Sequence, residues 1–191
     1  MISPEFLFSN IPEKQSKYFF SIIQKIGKER YIEKGERIIR QGAHPTFFFY
    51  IVHGACKTFI HKNDKDYILG FTFEGDVDCC PTSLLKGMAN NFAIEAVIDS
   101  RILVCEIKDF QDACSEKMYY SITNNIMSNY VSILENRVIE TISLTAEQRY
   151  KKLLLQQTQL IEKIPLSQIA AYLGITQERL SRIRKKLNDL T

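Results

Sequence analysis

Six of the eight glycines in this chain (Gly35, Gly42, Gly54, Gly70, Gly75 and Gly87) fall in one window of about fifty residues, and none lies between 88 and 173. Proline is absent from 82 to 164. Turn-forming residues at close intervals call for short strands, and their long absence calls for helices. The runs ERIIRQG, FFFYIVHG, CKTFIHKN, YILGFTFEG, FAIEAVI and RILVCEI are short and rich in β-branched or aromatic residues, most of them closed by a turn signal. They predict an antiparallel β-roll or sandwich. Ahead of them, IPEKQSKYFFSIIQKIG reads as one amphipathic helix, with Pro12 in its first turn and Gly27 just past its end. The fold class is therefore α+β, with strands in the front half and helices behind.

From 116 to 142 the apolar period is helical. Ile122, Ile126, Tyr130, Ile133 and Arg137 recur every three or four residues, and Met127, Val131, Leu134 and Val138 widen the stripe. At about 1.5 Å per residue such a helix is roughly 40 Å long. A compact β domain covers only part of that length. A helix lying across its own domain is one reading; a helix pairing with its copy, as in a parallel coiled coil, accounts for the whole stripe. The expected homodimer interface is Ile122, Ile126, Tyr130, Ile133 and Arg137. Thr145-Ala146-Glu147-Gln148 has the form of a capping box opening a helix over 146–159. The expected units are a β-roll sensor domain with flanking helices (1–115), a dimerisation helix (116–143) and a C-terminal domain (144–191).

The last unit contains PLSQIAAYLGITQERLSRIRKK over 165–186. Leu166, Ile169, Ala170 and Leu173 share one face of a first helix, and Leu180, Ile183 and Leu187 share one face of a second. Gly174 lies where a helix end takes a left-handed residue, and Thr176 can cap the second helix. Ala170 is small where two steeply crossing helices nearly touch. The pattern is a helix-turn-helix, whose second helix enters the major groove of double-stranded DNA. Its outer face carries Gln177, Glu178, Arg179, Ser181, Arg182 and Lys185. Arg182 suits a bidentate pair with guanine, Glu178 the cytosine amino group, and Gln177 adenine or a phosphate. Thr176, Arg184, Lys185 and Lys186 are better placed for phosphates. A helical hairpin with a merely solvated face is the plain alternative. The charge distribution disfavours it: residues 145–191 hold nine Lys/Arg against four Asp/Glu, while residues 1–144 hold sixteen against eighteen. A basic end on a near-neutral body points to a polyanionic partner for that end alone.

Several function classes are set aside by composition. The start, MISPEFLFSN, lacks the basic and apolar regions of a signal peptide, and the longest apolar stretch, Phe47–Val52, is too short to span a bilayer. A cytoplasmic location without membrane contact is expected. The five cysteines, Cys56, Cys79, Cys80, Cys105 and Cys114, have no C-x-x-C spacing. They fit neither a disulfide scaffold nor a four-thiolate metal site. No catalytic triad, ligand cluster or phosphate loop is present, so no enzyme activity is expected.

Taken together, GERIIRQGAHPTFFFYIVHGACKTFI (35–60), FEGD (73–76), the long helix and AAYLGITQERLSRIRKKL (170–187) resemble the Crp/Fnr superfamily, relatives of the catabolite activator protein. The resemblance spans about residues 10–187, and the ending SRIRKKL is similar to a divergent, largely Bacteroidetes-type branch. It implies a homodimeric transcription regulator on a palindromic site, with RNA polymerase as a further partner. It also implies a β-roll that senses a small molecule, and a central helix that relays the event.

The chain departs from that pattern in its ligand cassette. Cyclic-AMP binders in the family place a glutamate on the ribose and an arginine, followed by serine or threonine, on the cyclic phosphate. Those positions fall here near Cys80 and near Phe92-Ala93, in a segment about two residues longer. No arginine occurs between 41 and 100, and a buried phosphate without a fixed cation is costly. Cyclic AMP is therefore not the expected effector, and no cofactor or metal is expected. Cys79, Cys80, Asn91 and Phe92 remain the candidate effector-pocket residues, with Cys79-Cys80 as the alternative of a thiol or metal sensor. The family's iron–sulfur branch uses N-terminal cysteines, which are missing here. His44, His53 and His61 suit a haem ligand by residue type only. The family's wing after the recognition helix is not expected in full, since four residues follow Leu187. The competing function is a cyclic-nucleotide-fold sensory module that acts through protein partners instead of DNA.

Overall fold

The computed structural model describes residues 12–188. The expectations about the start MISPEFLFSN and about the missing wing fall on residues 1–11 and 189–191, outside those described. The chain begins with α1 (Glu13–Ile26), β1 (Lys28–Ile32), β2 (Arg37–Ile39), β3 (Phe47–His53) and β4 (Ala55–Lys62). It continues through β5 (Lys65–Phe73), β6 (Val77–Cys79), α2 (Pro81–Lys86), β7 (Ala93–Ala96), β8 (Ser100–Glu106) and α3 (Ile107–Ala113). Four helices follow: α4 (Glu116–Ser143), α5 (Ala146–Ile161), α6 (Leu166–Leu173) and α7 (Gln177–Asn188).

The strands form two antiparallel sheets, ordered β1-β8-β3-β6 and β2-β7-β4-β5. Their inner faces share an apolar core built on Ile32, Ile38, Phe49, Ile51, Cys56, Ile94 and Ile102. This is the expected β-roll. All six runs read as strands are strands. β1 and β6 escaped that reading for different reasons: KERYI buries only its last residue, so it carries no alternation, and VDC is three residues long. The short helices α2 and α3 likewise lack room for a helical period.

α1 buries Phe19 and Ile23 against the roll, where the Phe19 ring meets those of Phe48 and Phe110 at 5.9 and 5.4 Å. Gly27 follows its end in extended backbone (φ −68°), not in the left-handed conformation. α4 runs for 28 residues and α5 opens with the expected capping box. The Thr145 Oγ1 accepts the Gln148 amide at 3.3 Å, and the Gln148 Oε1 accepts the Thr145 amide at 2.8 Å.

The C-terminal helices do not stand apart from the roll. Tyr150, Leu153, Ile161, Ile164, Ile169, Ala170, Leu173 and Leu180 form one buried cluster with Ala55, Phe73 and Val97 of the roll. Apolar surface continues across the junction, so burying it fixes where the last two helices lie.

Candidate nucleic-acid interface and the adjoining cavity

The geometry of α6 and α7 follows from a few residues. Gly174 adopts φ 67°, and the Ile175 amide donates to the Ala170 carbonyl at 3.0 Å, closing α6 with a Schellman-type turn. A non-glycine residue in that left-handed state is strained. The chain reverses and Thr176 Oγ1 accepts the Arg179 amide at 3.2 Å, capping α7. Leu180 is fully buried against Ile169 and Ala170 in the same cluster. Arg149 from α5 donates to the Leu173 carbonyl at 2.8 Å, tying the end of α6 to its neighbour.

Every residue assigned to DNA contact is exposed: Thr176, Gln177, Glu178, Arg179, Ser181, Arg182, Arg184, Lys185 and Lys186. They do not all have equal freedom. Lys186 pairs with Glu147 of α5 at 3.0 Å, and Lys151 reaches the same carboxylate at 3.2 Å. Hydrogen bonds from Lys186 and Lys151 hold the Glu147 carboxyl below its ordinary range. Arg184 hydrogen-bonds the Tyr150 hydroxyl. Glu178 is held low by its own backbone amide, by the Thr176 hydroxyl and by the charge of Arg182. The start of α7 thus presents Glu178 and Arg182, four residues apart, in the open.

A cavity of about 180 Å³ lies where the roll, α4 and α6 meet, lined among others by Thr58, Thr72, Asp78, Tyr130, Arg137 and Tyr172. Asp78 Oδ2 accepts the Thr72 hydroxyl at 2.6 Å and the Thr58 hydroxyl at 3.5 Å, and its Oδ1 accepts the Cys79 amide at 2.8 Å. Burial pushes the Asp78 carboxyl above its ordinary range, against the opposing pull of these hydrogen bonds and of the Arg137 charge. Asp76 and Glu140 also face this space.

Cys79 and Phe92 line the cavity. Cys80 points into the roll's interior, where Asn90 reaches its sulfur at 3.3 Å, and Asn91 is exposed outside the lining. Burial raises the Cys79 and Cys56 thiols, and pushes Cys80 to about 11 and Cys105 to about 12. All four stay protonated at neutral pH, which blunts thiolate chemistry. The three histidines lie on the surface. His53 bonds Glu74 and His61 bonds Asp66, each at 2.8 Å, and His44 meets the Gly87 carbonyl at 3.2 Å. Among the described residues, no group of three His, Cys, Asp or Glu side chains could hold a metal ion.

The stripe expected at a dimer interface is turned inward. Ile122 is fully buried and Ile126 half-buried among Phe19, Phe48 and Phe110, while Tyr130, Ile133 and Arg137 line the cavity. The aromatic flank formed by α1, α3 and β3 supplies the partner of Ile122 and Ile126 within one chain, and the walls from β5 and β6 face the other three. A second stripe stays open: Val131 is 54% exposed, Leu134 42%, Val138 58% and Ile142 82%. α4 has apolar residues on two faces, and the period alone does not say which face the roll takes. The residues that sequence reasoning missed are Asp78 and Tyr172. Asp78 is a carboxylate inside a strand, a local conflict that marks a special position.

Residues 29–117 match the family model described as cyclic nucleotide-binding domain. FixK2 from Bradyrhizobium japonicum superposes with a TM-score of 0.72 at 20% identity, covering 86% of each chain. A candidate transcriptional regulator of the crp/fnr family from Eubacterium rectale gives 0.67 at 19% identity, covering 95% of this chain and 86% of that one. The catabolite activator protein of Thermus thermophilus gives 0.57 at 18% identity, covering 96% and 86%. No curated protein sequence matches. The shared feature is the fold: an antiparallel roll, a long helix and a C-terminal helix-turn-helix. Among the described residues, no helix is long and apolar enough to cross a membrane.

Proposed function

We propose that this chain, with a cyclic nucleotide-binding-type roll in the fold of the Crp/Fnr regulators, is a sequence-specific DNA-binding transcription regulator and not an enzyme. The observation that carries this reading is the exposed, braced face of α7. Gln177, Glu178, Ser181 and Arg182 stand clear of a helix-turn-helix packed through Ile169, Ala170 and Leu180, and Arg179, Arg184 and Lys185 surround them with positive charge. Base-edge contact falls to the first four and phosphate contact to the cations around them.

The working unit is a homodimer. Met127, Val131, Leu134 and Val138 are spaced four, three and four residues apart, the alternation of a coiled-coil seam. A parallel pair related by a twofold axis presents two copies of α7 to successive major grooves of an inverted repeat. Contact with RNA polymerase is the accompanying partner reading, drawn from the regulators that share the fold.

Cyclic AMP is not the effector. One guanidinium, Arg137, faces Asp76, Asp78 and Glu140 across the cavity, so an anionic phosphate there meets more negative than positive charge. A salt titration on duplex DNA tests the reading. A regulator using these cations shows log affinity falling linearly and steeply with log salt. A sensory module acting through proteins shows weak, sequence-blind binding at every salt concentration.

A further inference from the structure

Arg137 projects from α4 into the cavity and touches both β5 of the roll and α6. Its Nη1 donates to the Leu69 carbonyl of β5. Its guanidinium fills the space left by Gly70, where a Cβ would collide with it. Its other face lies 5.7 Å from the centre of the Tyr172 ring of α6. Tyr172 in turn packs on the roll, 5.5 Å from the Phe71 ring and against the cluster of Phe59, Ile68 and Ala93. Among the described residues, Tyr172 is the one side chain of the helix-turn-helix that lines the cavity, and it sits two residues from Ala170 in the core shared with α7.

We propose that Arg137 is a latch: whatever fills the cavity is read directly by α6 through Arg137 and Tyr172, within one subunit, and so shifts α7. This rests on the regulator reading above. Apolar contacts through Phe73 and Val97 also hold the C-terminal helices on the roll. Losing the latch therefore changes how α6 sits and does not free the domain. The contact suits a switch because it is polar, meets α6 through the Tyr172 ring and depends on the slot at Gly70. An occupant of the cavity needs only to draw the guanidinium off Gly70 to unload Tyr172.

Two substitutions break the latch from opposite sides. Arg137→Ala removes the guanidinium, and Gly70→Ala expels it while leaving it in the chain; the atom in its way is the far end of a flexible side chain. Hydrogen exchange of the whole 191-residue chain is measured over α6 and over β5 for each variant and for the pair, with thermal melting as the check on folding. Each single variant should speed α6 exchange about three- to tenfold, with the double variant no faster than either. Duplex affinity should shift in the same direction in all three. Tyr172→Leu supplies a second route should Gly70→Ala not fold: in that background Arg137→Ala should add nothing. Unchanged α6 exchange, additive effects, or faster exchange with unaltered duplex affinity each overturn the latch. Absence of duplex binding in every protein, the unsubstituted one included, refutes the regulator reading instead and leaves the exchange result to judge the coupling.

Discussion

The Thr72 hydroxyl donates to Asp78 Oδ2 at 2.6 Å, inside the cavity between the roll and the long helix. That bond does not offset the cost of burying the carboxylate, and the Asp78 pKa is raised. The folded protein then holds this proton more tightly than the unfolded chain, where an aspartate titrates near about 3.9. The stability so contributed is present in full below that value and is lost as pH rises through the folded-state pKa. Asp78→Asn cannot ionise. Its unfolding free energy relative to the unsubstituted protein should grow as pH climbs from about 4, then level off. Denaturant melts across that range check this, and a difference that shrinks with pH contradicts it.

Arg182 and Lys185 are both exposed on α7, but they are assigned different work. Arg182→Ala should cost about 1–3 kcal/mol on the preferred duplex and relax base preference at one position of each half-site. Lys185→Ala should weaken preferred and random duplexes alike and lower the salt slope by about one. Competition binding with both duplexes separates the two. Equal losses on both duplexes for Arg182→Ala would mean that it reads no base.

Gly174 holds φ 67° at the turn between α6 and α7, with nothing within 4 Å of the place a Cβ would occupy. Its replacement by alanine therefore meets no clash, only left-handed strain of roughly 1–2 kcal/mol. Thermal unfolding should register that loss with duplex specificity retained. An unchanged midpoint would show that the turn relaxes at no cost.

Much of this architecture is legible in the sequence because it rests on local rules. Glycine spacing marks the roll's hairpins, Thr145 and Gln148 mark the start of α5, and Ala170, Gly174 and Thr176 mark the helix-turn-helix. What the sequence does not show depends on choices between equivalent faces. Ile122, Ile126 and Tyr130 lie on one apolar stripe of α4 and Val131, Val138 and Ile142 on another, and only the aromatic flank at Phe48 and Phe110 decides that the first turns inward. Arg137 reads as one more interface position. Its place against Gly70 and Tyr172 joins segments far apart in the chain, and no periodicity encodes such a contact.

The open stripe yields its own prediction. Val131→Glu and Val138→Glu place like charges across the proposed seam, at positions more than half exposed in the single chain. Sedimentation should show the double variant as a monomer with its fold intact, and duplex affinity should fall about 10²-fold or more as one half-site is lost. A dimer that survives both changes would place the interface elsewhere.

The central claim, two copies of α7 reading one duplex, is tested most directly by selecting bound sequences from a randomised duplex pool. An inverted repeat should emerge, its half-sites centred about one helical turn apart, with Arg182→Ala erasing preference at a single symmetric pair of positions. A pool that stays random after repeated selection, or a preferred sequence without dyad symmetry, contradicts it.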